Sequence, residues 1–222
     1  MKMNKKYAIF DMDGTLIDSM KYWKNLGREY LSKFGITENL DEIMEKIKPM
    51  TMTESAELFR KEFDLPGTKE SIAEEMNWMI EEHYRNDIPL KDGVKEYIIK
   101  LHTLGVSMCV ASATDKDLMR VCLERLGVLE YFKFLLSCEE VGVGKNRPDV
   151  YNEALCRLKK TESLNPEDIA VYEDAQYAIR TALDAGFYTI AVYDDSNKEK
   201  WEKLKEQSMD AIFDWYQALQ SL

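Results

Sequence analysis

Short, unbroken apolar runs alternate along this chain with longer stretches in which apolar residues recur at helical spacing. The runs at 7–10, 106–110, 134–137, 169–172, 189–192 and, more weakly, 211–213 are β-prone and mostly continuous. Continuous runs suit strands covered on both faces, as in a parallel sheet. In 92–104, Val94, Ile98 and Leu101 share one helical face, and Gly105 supplies a stop. A helix over 117–126 is expected to start from a capping box of Thr114 and Asp117 and to stop at Gly127. Further helices are expected over 149–159 and 175–185, the second closed by Gly186. This alternation predicts an α/β fold with a doubly wound, mainly parallel, Rossmann-like sheet.

The alternation breaks between residues 10 and 106, far more chain than one crossover helix requires. Tyr22, Leu26 and Tyr30, with Trp23, Leu31 and Phe34, recur at helical spacing in 18–34. Helices over 40–47, 53–63 and 69–85 follow, with turn signals at Pro49 and at Pro66-Gly67 and a second capping box of Thr51 and Glu54. Residues 18–88 therefore read as an α-helical cap domain inserted after the first strand, leaving and rejoining near Ile17 and Pro89. Residues 1–17 and 89–222 read as the α/β catalytic core.

Length and composition narrow the function. With 222 residues, 45% of them hydrophobic, the chain can bury a substantial core. Its formal net charge of −11 argues against nucleic acid and anionic membrane as partners, since both call for a basic surface. The same charge would repel a phosphorylated substrate at long range, so a site for one must concentrate positive charge locally. No apolar run has the length of a membrane span, and the run at 7–10 is too short for the centre of a signal peptide. A cytoplasmic monomer is the default expectation. Cys109, Cys122, Cys138 and Cys156 have no CxxC spacing, and buried, reduced thiols are expected.

Candidate chemistry gathers where apolar runs end. Asp11-Met12-Asp13-Gly14-Thr15 follows the first run, at the sheet edge where open α/β folds bind ligands. Two neighbouring carboxylates repel unless a cation or proton offsets them, and a hard cation such as Mg²⁺ is suited to that task. The competing explanation is an acidic loop that caps a helix. After the second run, Ser112 and Ala113 offer a hydroxyl and backbone N–H groups to a phosphate oxygen, or simply cap a helix. Lys145 lies in a Gly/Pro-bounded loop and could place a point charge on phosphate, or stand in solvent. Glu173 and Asp174 end the fourth run, as metal ligands or as helix-dipole partners. Together these groups are complementary: a nucleophile, carboxylates for metal, a hydroxyl and an ammonium.

In these residues the chain resembles the haloacid dehalogenase superfamily, in the branch with a helical cap that holds phosphoglycolate phosphatase and β-phosphoglucomutase. Asp11 to Leu16 match the first motif, Ser112 the second, Lys145 with Pro148-Asp149 the third, and Glu173-Asp174 the fourth. Leu90 to Val94, where the chain returns from the insertion, also fit. The resemblance implies a Mg²⁺-dependent phosphatase of small phosphorylated metabolites, working through an aspartyl-phosphate on Asp11. Asp13 would be general acid and base. Asp11, the Asp13 carbonyl, Asp174 and Glu173 would serve the metal, and Ser112, Ala113 and Lys145 the phosphoryl group. Trp23, Met50 and Arg147 are candidate specificity residues, set against burial inside the cap for Trp23, Met50 and Met52. A sugar-phosphate mutase is the alternative on the same fold, although such enzymes usually carry histidine where Trp23 stands. A phosphoacceptor signalling domain or a non-catalytic binding protein is the alternative of another class. His83 and His102 read as structural or surface residues.

Overall fold

The apolar runs form strands β1 (Tyr7–Phe10), β2 (Ser107–Ser112), β3 (Phe132–Ser137), β4 (Ile169–Glu173), β5 (Tyr188–Val192) and β6 (Asp210–Ile212). The computed structural model describes residues 5–159 and 164–222, so residues 1–4 of the expected core segment and residues 160–163 lie outside the described residues. The strands make one six-stranded sheet in the order β3-β2-β1-β4-β5-β6, paired in parallel throughout. From β1 the chain builds outward to β3 and then returns to lay β4 on β1's other side. The carboxyl ends of β1 and β4 therefore flank the crevice where strand order reverses, the ligand position in open sheets of this kind.

Helices follow as α1 (Met20–Ser32), α2 (Asp41–Ile47), α3 (Met52–Glu62), α4 (Lys69–Asn86), α5 (Val94–Thr103), α6 (Lys116–Arg125), α7 (Cys138–Val141), α8 (Asp149–Leu158), α9 (Gln176–Asp184), α10 (Trp201–Gln207) and α11 (Trp215–Gln220). Alternate strand residues face opposite layers. Phe10, Met108, Val110 and Tyr172 pack with Val94, Tyr97 and Met119 on one side. Ile9, Cys109, Ala111 and Val171 pack with Val150, Ala154 and Phe187 on the other. Burial on both faces explains why the strands read as continuous apolar runs. Phe10 stacks on Tyr172 with ring centroids 4.2 Å apart, which locks β1 against β4.

Two local expectations are corrected. β2 runs on to Ser112 because Ser112 still pairs with Ser137 of β3, so Ser112 is a strand end rather than part of a turn. The cap of α6 is Asp115, whose carboxylate accepts from the N–H groups of Asp117 (2.8 Å) and Leu118 (3.2 Å). Thr114 does not cap that helix; its hydroxyl is engaged elsewhere. The capping box at Thr51 and Glu54 does form, with both reciprocal bonds present at the start of α3.

Helices α1–α4 fill the interval between β1 and β2. At their base Ile17 and Leu90 form an antiparallel bridge, Asp18 N–H donates to Pro89 O (3.0 Å), and Lys91 N–H donates to Leu16 O (2.9 Å). The α2–α3 turn rests on the sheet domain. Tyr177 donates its hydroxyl to Lys48 O (2.6 Å), Glu139 accepts from Thr53 N–H (2.9 Å), and Gly144 lies so near Pro49 that a Cβ there would collide with the Pro49 carbonyl. Cys109, Cys122 and Cys138 are buried free thiols as expected; Cys156 departs from that expectation and is exposed on α8. Among the described residues no helix is long and apolar enough to cross a membrane.

Candidate active site

Asp11 directly follows β1 and is buried, its N–H donating to Tyr172 O on β4 (2.9 Å). The chain then turns tightly: Leu16 N–H reaches back to Met12 O (2.8 Å), and Gly14 N–H donates to Ile17 O (3.0 Å). Gly14 adopts φ +78°, and a Cβ on it would stand 2.5 Å from Asp174 Oδ2. Glycine is required there both by the left-handed backbone and by the approach of that carboxylate.

Glu173 ends β4, Asp174 follows it, and both are buried. Carboxylate oxygens of Asp11, Glu173 and Asp174 lie within 4.8 Å of one another. Lys145, 3% exposed, is drawn inward from its loop rather than left in solvent. Its Nζ pairs with Asp11 Oδ1 and donates to Glu173 Oε1 at 2.7 Å, and Tyr151 adds its hydroxyl to the same Glu173 oxygen at 2.8 Å. Three carboxylates against one directly paired ammonium leave two negative charges in excess when all are ionised.

The electrostatics follow from that imbalance. Burial pushes the Asp11 carboxyl above its ordinary value, with Lys145 pulling against it. Burial carries Glu173 to about 8 and Asp174 well above the usual carboxylate range, where Asp11 and Glu173 add their repulsion. Burial alone would lower Lys145, but the charges of Asp11 and Glu173 outweigh it and hold the ammonium protonated. A buried set of hard oxygen donors that resists ionising for want of positive charge fits a divalent cation with oxygen preference.

Asp13 stands apart from that cluster and turns its carboxylate toward the helical insertion. Oδ1 accepts from Ser19 (2.6 Å), from the Trp23 indole N–H (3.0 Å) and from the Tyr84 hydroxyl. Oδ2 accepts from Thr114 (2.5 Å) and, at a longer 3.5 Å, from Ser112. Burial and the neighbouring Asp13 hold the Tyr84 phenol well above its ordinary pKa, so it stays a donor. Trp23, weighed both as a specificity residue and as a side chain buried in the cap, is thus a direct partner of Asp13. Ser112 is buried, Ala113 half-buried beside it, and Thr114 N–H donates to Ser112 Oγ (3.2 Å).

Of the other two specificity candidates, one faces solvent and one lines a cleft. Arg147 points outward to Asp149 (3.2 Å) with 62% of its side chain exposed. Met50 lines a cleft of about 560 Å³ with Thr53, Glu54, Glu139 and Asn146, and Asp11 is not in that lining. Sequence reasoning passed over Ser19, Tyr84, Thr114, Tyr151 and Asn197 as site residues. Tyr84 has one signal: it ends the apolar stripe Ile72, Met76, Ile80 on α4 with a hydroxyl that burial obliges to find a partner.

The family profile described as haloacid dehalogenase-like hydrolase matches residues 8–192. The (DL)-glycerol-3-phosphatase 1, mitochondrial, of Arabidopsis thaliana is 26% identical over 216 residues, covering 94% of this chain and 71% of that protein. A fructose-1-phosphate phosphatase of Escherichia coli (strain K12) is 26% identical over 195 residues, covering 86% and 98%. Among solved structures, the β-phosphoglucomutase of Clostridium difficile superposes with a TM-score of 0.74 at 22% identity, covering 96% of this chain and 92% of that one. At that identity the last similarity bears on the fold alone.

Proposed function

The chain belongs to the haloacid dehalogenase-like hydrolases and is a phosphoric monoester hydrolase, and we propose that it hydrolyses small phosphorylated metabolites through an aspartyl-phosphate on Asp11. The observation that carries this reading is the placement of Asp11: a buried carboxylate at the sheet's switch point, beside an ammonium and two further acids.

Asp11 would attack phosphorus in line as the bond to the leaving alkoxide breaks. Asp13 would give its proton to that alkoxide, then take one from the water that cleaves the aspartyl-phosphate and restores Asp11. In the present arrangement Asp13 accepts from five side chains, three of them on residues 19, 23 and 84, so proton transfer requires some of these bonds to be exchanged. Lys145, Ser112 and Ala113 would hold the phosphoryl oxygens, where fixed donors stabilise charge as it shifts. Asp11, Asp174 and the Asp13 carbonyl, with Glu173 as ligand or close support, would bind Mg²⁺, which would offset negative charge on the phosphate. Residues 18–88 would act as a cap that excludes water and faces the leaving group, while 5–17 and 89–222 carry the chemistry.

A screen of phosphorylated metabolites with and without Mg²⁺ tests this reading by free phosphate release. Asp11→Asn should lower turnover on the order of 10⁴-fold or more, as loss of a nucleophile does. Normal turnover by Asp11→Asn, or an isomeric sugar phosphate formed without phosphate release, would overturn it.

A further inference from the structure

Lys145 bonds two acids of the cluster, Asp11 and Glu173, while Asp174 is held from another direction. The Asn197 amide nitrogen donates to Asp174 Oδ2 (3.0 Å) and to the Asp174 main-chain carbonyl (3.1 Å). One NH₂ group thus grips both ends of the same residue and sets the carboxylate relative to its own backbone. The bare Cα of Gly14 also stands close to that oxygen. The carboxylate thus has both the Asp13–Thr15 turn and Asn197 as close neighbours.

Asn197 is itself anchored. It lies in the short helical turn Asp195–Lys200 after β5, with its N–H donating to Asp194 O (3.0 Å). Asp194 is 5% exposed and accepts from Ser196 N–H (2.8 Å). It also pairs with Lys91 (2.7 Å), whose Nζ donates again to Tyr193 O (2.7 Å). Lys91 is the residue whose N–H crosses to Leu16 where the insertion rejoins the sheet domain. A chain of contacts therefore runs from the base of the insertion through the 193–197 loop to Asp174.

We propose that Asn197 is a positioning residue that orients Asp174 for a divalent cation, an inference that rests on reading the acid cluster as a metal site. Groups that orient a metal ligand typically carry a 10–100-fold share of metal affinity. Without its forked donor, the carboxylate regains torsional freedom that binding must remove again.

The test uses Mg²⁺ alone, read as the rise of melting temperature with Mg²⁺ concentration. Asn197→Leu keeps the side-chain volume and removes the donor. Its Mg²⁺ midpoint should move up about tenfold or more, with its melting temperature in EDTA close to that of the parent. At saturating Mg²⁺ its KM for p-nitrophenyl phosphate should stay near the parent value, which separates metal positioning from general damage. Asn197→Gln, which retains an amide donor, should recover most of the Mg²⁺ dependence. If the leucine variant does not fold, Asn197→Ala at this half-buried position carries the same comparison. Equal Mg²⁺ midpoints for the parent and the donor-less variant would overturn the inference and leave the proposed function standing. A parent protein that Mg²⁺ does not stabilise, with Asp174→Asn indistinguishable from it, would instead overturn the metal site itself.

Discussion

Lys145 shows most directly how burial decides what a residue can do. As a loop lysine between glycines and a proline its ordinary fate is solvent, yet it is almost wholly enclosed and bonded to Asp11 and Glu173. Breaking a buried ionic set by removing one partner costs about 3–5 kcal/mol, because the remaining charges stay desolvated. Lys145→Met should lower the unfolding free energy of the metal-free protein by that order at pH 8, measured in urea. A loss under about 1 kcal/mol would mean that the acids are already protonated or hydrated there. Asp11, Glu173 and Asp174 were legible in the sequence because a strand end is a local feature, marked where an apolar run stops; Lys145, in the loop between α7 and α8, was legible only through the glycines and proline around it. Thr114, Tyr84 and Asn197 were not. Their roles depend on neighbours brought together by folding, and a hydroxyl two residues beyond Ser112 looks like a cap until Asp13 is seen beside it.

Elements followed their local signals where those were strong. The continuous apolar runs became strands, and the Thr51 box formed as written. Boundaries moved where pairing overrode propensity, as when Ser137 drew β2 on to Ser112. The order of strands across the sheet left no mark in the sequence, because it is set by which crossovers pack rather than by any one segment. α3 begins with Thr51 holding Glu54 N–H and with Glu139 from the sheet domain holding Thr53 N–H. Its first turn is therefore satisfied half from within and half from across the boundary. Thr51→Ala should destabilise the protein by about 1 kcal/mol, the usual worth of an N-cap side chain, in equilibrium unfolding. An unchanged midpoint would show that Glu139 suffices alone.

For the whole molecule the governing quantity is negative charge: −11 overall, and a buried acidic cluster at the switch point. Glu173 stands at about 8 in the folded chain against an ordinary 4.5, so between those values the folded state holds more protons than the unfolded one. Stability from this group is then full below about pH 4.5, falls as pH rises, and is gone above about 8. The EDTA-treated protein should melt at progressively lower temperature from pH 5 to pH 8. Added Mg²⁺, which competes with those protons, should restore far more at pH 8 than at pH 5. Melting temperatures that rise across that range without metal would contradict the burial argument.

The crossing where Ile17 meets Leu90 has an evolutionary corollary. The two ends of the inserted segment leave the sheet domain side by side, tied by the bond from Asp18 to Pro89. A segment whose ends already touch can be exchanged for a shorter, longer or differently shaped one without shifting the register of any strand. Under the function proposed above, selectivity would diverge by wholesale grafting of that segment, with the strand ends that carry Asp11 and Asp174 left in place.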